Sequence, residues 1–236
     1  MLLKLSGQSF CKAGEFGIDG GQLKSIAERI MDISKIGPEV AVVVGAGNFL
    51  RGESFSEVSD IPRHTADYMG MLATIINACA LQETLEKLGC STRVLSAIEV
   101  AAICEPFIRR RALRHLEQGR VVILAGGTGN PFFTTDTCAA LRASELDSDL
   151  VIKATKVDGV YSDDPQKNPD AELFKKITFE DVLQKNLRIM DHSAISLCRE
   201  NNIPIIVLNI FKEGNITKAL CGEPVGTLIC RGPILQ

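Results

Sequence analysis

The most constraining feature of this sequence is a series of short runs that are apolar on both faces, separated by helical patterns. Runs such as Val40–Val44 and Val121–Ala125 show no alternation with polar residues, which is typical of strands covered on both sides. Between Leu2–Leu5 and Val40–Val44, the segment Leu23–Ile36 carries apolar residues at helical spacing. The pattern predicts an α/β fold with a mainly parallel central sheet sandwiched between helices.

The predicted elements span most of the chain. The strands are Leu2–Leu5, Val40–Val44, Thr92–Leu95, Val121–Ala125, Leu150–Ala154, Ile205–Asn209 and Thr227–Cys230. The helices are Leu23–Ile36, Tyr68–Leu88, Phe107–Glu117, Thr135–Leu146, Phe179–Lys185 and Ser193–Glu200. A polar connection with two prolines, Tyr161–Asp170, could separate two lobes, but we treat residues 1–236 as a single domain.

Composition narrows the possible partners. With 26 Lys+Arg against 29 Asp+Glu, the net charge of −3 argues against a general nucleic-acid binder. The apolar runs are too short to cross a membrane, and Lys4 interrupts the only candidate signal core. The eight cysteines form no C-x-x-C pair and no cluster with histidine. We therefore expect a cytoplasmic protein with reduced thiols, without a membrane or nucleic-acid partner and without metal-ligating residues.

Four predicted strands are followed directly by loops rich in Gly, Thr or Asp. These loops are Ser6–Gly7, Gly45–Asn48, Gly126–Asp136 and Thr155–Asp164. In an open parallel sheet, ligands bind beyond the carboxyl ends of the strands. The four loops therefore predict a single cleft at one edge of the sheet.

Two of these loops have features of an anion site. In Gly45–Gly52, the glycines let backbone N–H groups approach a phosphate and Arg51 offers further donors. A tight strand-to-helix turn with a solvated Arg51 is the alternative. Gly126–Asp136 combines glycines, a proline, two aromatics and hydroxyls before a helix, which favours a ligand loop over a helix cap formed by Thr135 or Asp136 alone. Neither loop matches the dinucleotide pattern G-x-G-x-x-G.

Two lysines stand inside strands that should be covered on both faces. A buried lysine is costly unless it is paired or used at the ligand edge, so Lys4 and Lys153 predict a charge-stabilising pair. Snorkelling from an edge strand is the alternative. Two cations and glycine loops, without a nucleophile–base pair, are typical of phosphoryl transfer. Asp67 either caps the following helix or binds a ribose hydroxyl.

Five segments occur in an order that resembles a known family. They are Leu3–Gly7, Gly45–Gly52, Asp67–Thr74, Thr128–Asp136 and Lys153–Asp164. Together they resemble the bacterial UMP kinases of the amino acid kinase superfamily, from Leu2 to about Ile229. The resemblance implies transfer of the ATP γ-phosphate to UMP, giving UDP and ADP with Mg²⁺, in pyrimidine nucleotide biosynthesis.

The resemblance also implies roles for individual residues. Lys4 and Lys153 would stabilise the moving phosphoryl group, and Asp136 would orient them. ATP would contact Lys4, Leu5, Ser6, Gly7, Gly47, Arg51, Thr155, Tyr161 and Asp164. UMP would contact Ala46, Asp67, Thr128, Gly129, Asn130, Pro131, Phe132, Phe133, Thr134 and Thr135. The N-terminal part would thus form mainly the UMP side, and approximately residues 150–236 the ATP nucleoside side.

Assembly and regulation follow from the same resemblance. It implies a homohexamer that GTP can activate and UTP can inhibit. A segment tied to the GTP response matches Lys12, Ala13, Gly14, Glu15, Phe16 and Gly17. The chain departs from the family at Ala46, where glycine is commoner, at Gln8, where Glu is usual, and at Tyr68, where His is common. It also starts only three residues before Lys4, whereas the resemblance implies a longer lead-in, so the first strand could be clipped.

Three other functions share part of this sequence pattern. A carboxylate kinase of the same superfamily, acting on acetylglutamate or aspartate, would share the lysines but should lack Asp67 and the Thr128–Asp136 pocket. A non-catalytic nucleotide-binding or storage protein would not need both Lys4 and Lys153. A nicotinamide-dependent dehydrogenase is disfavoured by the missing dinucleotide pattern.

Overall fold

The computed structural model describes residues 1–50, 52–163, 168, 170–187 and 189–232. Its strands are β1 (Leu2–Leu5), β2 (Ala41–Val44), β3 (Thr92–Ser96), β4 (Glu105–Pro106), β5 (Val121–Ala125), β6 (Val151–Thr155), β7 (Val160–Tyr161), β8 (Leu173–Phe174), β9 (Lys176–Thr178), β10 (Ile205–Asn209) and β11 (Thr227–Cys230). Its helices are α1 (Gly20–Lys35), α2 (Gly52–Val58), α3 (Arg63–Lys87), α4 (Arg109–Glu117), α5 (Thr135–Glu145), α6 (Phe179–Gln184), α7 (His192–Glu200) and α8 (Asn215–Leu220).

Within the described ranges, one sheet of nine strands runs through both halves of the chain, in the order β4-β3-β5-β2-β1-β6-β10-β11-β9. Every neighbouring pair is parallel except β10 and β11. The predicted α/β class with a mainly parallel sheet is therefore confirmed. Strand β1 pairs over all four of its residues with both β2 and β6.

Helices cover both faces of the sheet, which explains why the strands carry few polar residues. One core packs against α4, α5, α6 and α7 and contains Leu2 and Val151. The other packs against α1, α3 and α8 and contains Leu3 and Ile152. Successive strand residues point to opposite faces, so central strands such as β1 and β6 supply both cores. No described helix is both long and apolar enough to span a bilayer.

Helix α3 differs most from its prediction. It begins at Arg63, five residues before the predicted Tyr68, and runs for 25 residues. Tyr68, Leu72 and Ile76, which contributed to the predicted apolar face, are 43%, 47% and 53% exposed. The face that packs on the sheet instead carries residues such as Ala78 and Leu81. Spacing alone mixed the two faces because α3 is apolar on both.

Candidate active site

Two cavities adjoin the carboxyl edge of the central strands. The larger, of about 720 Å³, is lined by Lys153, Thr155, Val157, Gly159, Val160, Tyr161, Ser162, Asp163, Lys185, Asn186, Leu187, Ile189 and Val207. The smaller, of about 350 Å³, is lined by Lys4, Ser6, Gly7, Gly45, Ala46, Gly47, Leu50, Gly52, Arg63, Asp67, Gly70, Met71, Thr74, Gly127, Phe133, Thr134, Thr135 and Asp136. Both volumes are in the usual range for small-molecule sites.

The two cavities are linked by a Lys–Asp–Lys cluster. Lys4 in β1 and Lys153 in β6 are register partners in adjacent parallel strands, so both side chains leave the same face of the sheet. Lys4 Nζ lies 2.6 Å from Asp136 Oδ1, and Lys153 Nζ lies 2.7 Å from Asp136 Oδ2. Since Lys4 lines the smaller cavity and Lys153 the larger, the cluster stands at their junction.

The cluster is largely buried, so water screens the electrostatic interactions between its charged groups only weakly. The exposed fractions of the Lys4, Asp136 and Lys153 side chains are 8%, 15% and 15%. Burial raises the pKa of Asp136, but Lys4 and Lys153 outweigh it and hold that pKa below its ordinary value. Burial lowers the pKa of Lys153 although Asp136 opposes the change. With two ammonium groups and one carboxylate, the cluster carries a net positive charge facing the cavities.

The N-terminus of α5 lies at this cluster and presents Asp136 to it. Thr134 caps the helix, and its hydroxyl accepts hydrogen bonds from the N–H groups of Asp136 and Thr137 at 3.1 and 3.2 Å. The same hydroxyl donates to Asp191 Oδ2 at 2.8 Å. The N-terminal end of a helix attracts anions. Asp136 is thus fixed by the helix that presents it as well as by the two lysines.

The glycine loop, Gly45–Asn48, lies against the loop that follows β1. The Gly45 N–H donates to the carbonyl of Leu5 at 2.9 Å. A Cβ added at Gly7 would lie 2.2 Å from the backbone nitrogen of Gly47, so a side chain at Gly7 would push the two loops apart. Ala46 is not among the described residues with positive φ, and its methyl group therefore causes no backbone strain.

The ligand loop, Gly126–Asp136, forms one wall of the smaller cavity. Gly127, Phe133, Thr134, Thr135 and Asp136 line the cavity. The remaining residues expected to contact UMP are Thr128, Gly129, Asn130, Pro131 and Phe132, which form a partly exposed turn. In that turn the Thr128 hydroxyl donates to the Asn130 carbonyl at 3.1 Å.

Asp67 connects α3 to this ligand loop. Its Oδ2 accepts a hydrogen bond from the Phe132 N–H at 2.9 Å. Arg63, one turn earlier, donates through Nε to both carboxylate oxygens at 2.9 and 3.0 Å. Phe132 has a φ of 71°, unusual for a non-glycine residue. Asp67 therefore lines the cavity and also fixes the turn beside it.

The remaining predicted residues fall into three groups. Thr155 and Tyr161, which were predicted to contact ATP, both line the larger cavity. Leu5 is fully buried in the core, so its side chain packs away from both cavities. Arg51 and Asp164 lie outside the described residues.

The segment Lys12–Gly17 is exposed but joined to the glycine loop. Phe16, 77% exposed, makes an edge contact with Phe49 at 5.5 Å. The Gly17 N–H donates to the Asn48 carbonyl at 2.9 Å, and the Asn48 side chain donates back to the Gly17 carbonyl at 2.8 Å. Asn48 thus joins this segment to the glycine loop, of which Gly45, Ala46 and Gly47 line the smaller cavity.

Sequence reasoning missed several polar residues at the site. Arg63 and Thr74 line the smaller cavity, and Asp191 accepts hydrogen bonds from Thr134 and Thr137. The signal available for Thr74 was a polar residue within an apolar helical run. For Arg63 the available signal was its i,i+4 spacing to Asp67, whereas Asp191 had none, because its partners Thr134 and Thr137 are close only in the folded chain.

The chain is similar to known proteins over nearly its whole length. A family model described as "Amino acid kinase family" matches residues 1–209, and the chain belongs to that family. Within it, the chain is similar to a UMP kinase from Bacillus anthracis, with 38% identity, a TM-score of 0.95, and coverage of 98% of this chain and 96% of that one.

Two further solved structures have the same fold. A UMP kinase from Ureaplasma parvum is 39% identical, with a TM-score of 0.91 and coverage of 98% of this chain and 97% of that chain. A uridylate kinase from Archaeoglobus fulgidus is 28% identical, with a TM-score of 0.75 and coverage of 97% and 99%. The similarity therefore extends over nearly the whole chain.

Proposed function

We propose that this protein transfers the γ-phosphoryl group of ATP to UMP, giving ADP and UDP in pyrimidine nucleotide biosynthesis. The observation that carries the proposal is the Lys4–Asp136–Lys153 cluster at the junction of two cavities. Phosphoryl transfer needs donor and acceptor held in line, with positive charge where the phosphoryl group passes between them. Similarity to UMP kinases at 38% and 39% identity supports UMP as the acceptor.

In this proposal the larger cavity holds the ATP nucleoside and the smaller holds UMP. Thr155 and Tyr161 contact ATP, while Ala46, Asp67 and the ligand loop contact UMP. The N-terminal part thus forms the acceptor side, and approximately residues 150–236 form most of the ATP nucleoside side. The glycine loop and the loop after β1 bring their N–H groups toward the phosphates.

The chemical step requires positioning and charge neutralisation. A phosphate oxygen of UMP attacks the γ-phosphorus, and the bond from that phosphorus to the β–γ bridging oxygen breaks, leaving ADP. Negative charge on the transferring group is stabilised by Lys4 and Lys153. Asp136 acts by holding the two ammonium groups apart and in register. Because the UMP phosphate is already ionised at neutral pH, no side-chain base is needed.

Mg²⁺ would enter this site with ATP. The described residues contain no group of three or more His, Cys, Asp or Glu side chains that could hold a metal ion. Asp136, which lines the smaller cavity, is already held by two lysines. A site with this one engaged carboxylate fits a Mg²⁺ ion that is held mainly by the phosphate oxygens of ATP and by water. When bound, the ion neutralises charge on the phosphates of ATP.

A test of the acceptor side uses Asp67. We expect Asp67→Ala to raise the KM for UMP by about tenfold or more, because a charged hydrogen-bond acceptor is lost and the Phe132 turn is released. The KM for ATP should change by less than about twofold, since Asp67 lines only the smaller of the two cavities. Steady-state kinetics with each nucleotide varied in turn measures both values.

Glu86→Ala is the matched control for Asp67→Ala. Glu86 also lies on α3 and pairs with an arginine, Arg93, at 3.1 Å, but lines neither cavity. Both KM values should therefore stay near those of the wild type. Equal weakening of UMP and ATP by Asp67→Ala would contradict a contact on the UMP side.

We further propose a homohexamer, with α3 contributing to its contacts. Tyr68, Leu72 and Ile76 are spaced four residues apart and form an exposed apolar stripe on one face of α3. We expect Ile76→Asp to lower the mass measured by light scattering, because a carboxylate is costly in an apolar contact. Ile36→Asp, at an isoleucine 46% exposed beyond α1, is the control and should leave the mass unchanged. An unchanged mass for Ile76→Asp would show that this stripe does not contribute to the contacts between subunits.

The proposed enzyme is regulated by nucleotides and lies in the cytoplasm. GTP activation and UTP inhibition are proposed from the family resemblance, with the exposed Lys12–Gly17 segment serving the GTP response. Its hydrogen bonds to Asn48 support a route to the glycine loop. A cytoplasmic location is consistent with eight cysteines that are all free thiols.

A further inference from the structure

Helix α3 buries two polar side chains that the chemistry above does not use. Thr74 is 2% exposed and Asn77 is fully buried, on a face otherwise formed by residues such as Ala78 and Leu81. A buried hydroxyl or amide destabilises the fold unless its hydrogen bonds are satisfied. The partners of these two side chains therefore indicate why polar residues stand there.

Thr74 holds the start of the ligand loop. Its hydroxyl donates to the Met71 carbonyl at 2.6 Å and accepts from the Gly126 N–H at 2.8 Å. Gly126, with a φ of 74°, is also confined on its other side, since an added Cβ would lie 2.7 Å from Ser96 Oγ. The hydroxyl proton of Thr74 is already engaged, so this side chain fixes the loop rather than reacting.

Asn77 holds the glycine loop. Its Nδ2 donates to the Gly45 carbonyl and to Asn48 Oδ1, both at 2.8 Å. The Asn48 amide donates in return to Asn77 Oδ1 at 2.9 Å. Asn48 is only 2% exposed, so the reciprocal amide pair is shielded from water. Loss of either partner would leave buried polar atoms without a hydrogen bond.

Thr74 and Asn77 are three residues apart and so lie on one side of α3. Each bonds to a different loop, and both loops line the smaller cavity. The geometry points to Thr74 and Asn77 as positioning residues that set the distance between the glycine loop and the ligand loop. This inference rests on the proposed function, in which the smaller cavity holds UMP. It extends that function by assigning α3 the role of shaping the acceptor site.

The hydrogen bonds of Thr74 and Asn77 lie beside the smaller cavity and not beside the larger. Neither Thr74 nor Asn77 lines the larger cavity, and the hydrogen bonds described above end on α3, on the ligand loop and on the glycine loop where it lines the smaller cavity. A change at either residue should therefore disturb UMP more than ATP. A purely structural role would instead lower stability without separating the two nucleotides.

The test compares Thr74→Val, Thr74→Ser and a control. Thr74→Val keeps the shape but leaves the Gly126 N–H without its partner, and we expect the KM for UMP to rise about tenfold. The KM for ATP should change by less than about twofold. Thr74→Ser restores the hydroxyl and should recover both values. Thr92→Val is the control, because Thr92 is fully buried and donates to the Cys90 carbonyl away from both cavities.

The outcomes separate this inference from the proposed function. Absence of UMP turnover in the wild type would refute the proposed function. An active wild type with an unchanged ratio of the two KM values in Thr74→Val would overturn the positioning role. Should Thr74→Val fail to fold, Asn77→Ser applies the same test to the glycine loop, with the same selective rise expected. A similar rise in both KM values in Asn77→Ser would also overturn it.

Discussion

Lys153→Ala is expected to lower kcat by about 100- to 1,000-fold, in the range found when one donor to a transition-state charge is removed. The Kd for UMP should stay within about twofold of the wild type, because Lys153 lines the larger cavity and not the smaller. Its charge matters most while the phosphoryl group is in transit, so the loss should be in kcat more than in KM. Steady-state kinetics measures kcat and KM, and calorimetric titration with UMP measures the Kd.

Lys176→Ala provides the comparison for this variant. Lys176 is an exposed lysine on β9 and lines neither of the two cavities, so its removal should leave kcat unchanged. A Lys153→Ala variant that keeps wild-type turnover would refute the role assigned to Lys153. Equal loss of UMP affinity and turnover would instead indicate a binding role.

Asp136→Asn is expected to cause the largest loss of stability. The variant keeps the size of the side chain but leaves Lys4 and Lys153 buried without their shared carboxylate. Removing one partner of a buried charge pair typically lowers the free energy of unfolding by about 3–5 kcal/mol. Urea denaturation at neutral pH measures the difference. Turnover should fall as well, because the two ammonium groups lose their common anchor.

The effect of Asp136→Asn should depend on pH. The two lysines hold the pKa of Asp136 below its ordinary value despite burial. Its contribution to stability is therefore complete above the ordinary carboxyl pKa and is lost as the pH falls through the lowered value. The difference between the wild type and the variant should be largest at neutral pH and should shrink on acidification.

Asp158→Asn is the control for this stability measurement. Asp158 pairs with Lys212 at 2.7 Å, but both side chains are well exposed. Such a pair contributes about 1 kcal/mol or less, so the control should stay close to the wild type. A loss for Asp136→Asn no larger than that of Asp158→Asn would contradict a tightly coupled cluster.

The sheet and its functional edge could be predicted because their signals are local. Runs such as Val121–Ala125 are apolar on both faces, and the strand found there has the predicted bounds. Lys4 and Lys153 were conspicuous as charges inside such runs. The structure then brings both against Asp136 because β1 and β6 are neighbours. That pairing of distant segments was not contained in either run.

Other features could not be predicted because they depend on contacts between distant segments. Helices α2 and α8, of seven and six residues, were not predicted, although α6, which is equally short, was. On α3, spacing could not tell which apolar side faces the sheet. The roles of Thr74 and Asn77 depend on Gly126 and Gly45, which follow strands far away in sequence. Only the folded chain brings these groups together.

The most direct test of the account measures ADP release from MgATP with several acceptors offered in parallel. UMP, CMP, AMP, acetylglutamate and aspartate would be compared at equal concentrations with the same enzyme preparation. The account predicts strong preference for UMP, since the smaller cavity combines Asp67 with the ligand loop beside the lysine cluster. Preference for a carboxylate acceptor, or nucleotide binding without any turnover, would contradict it.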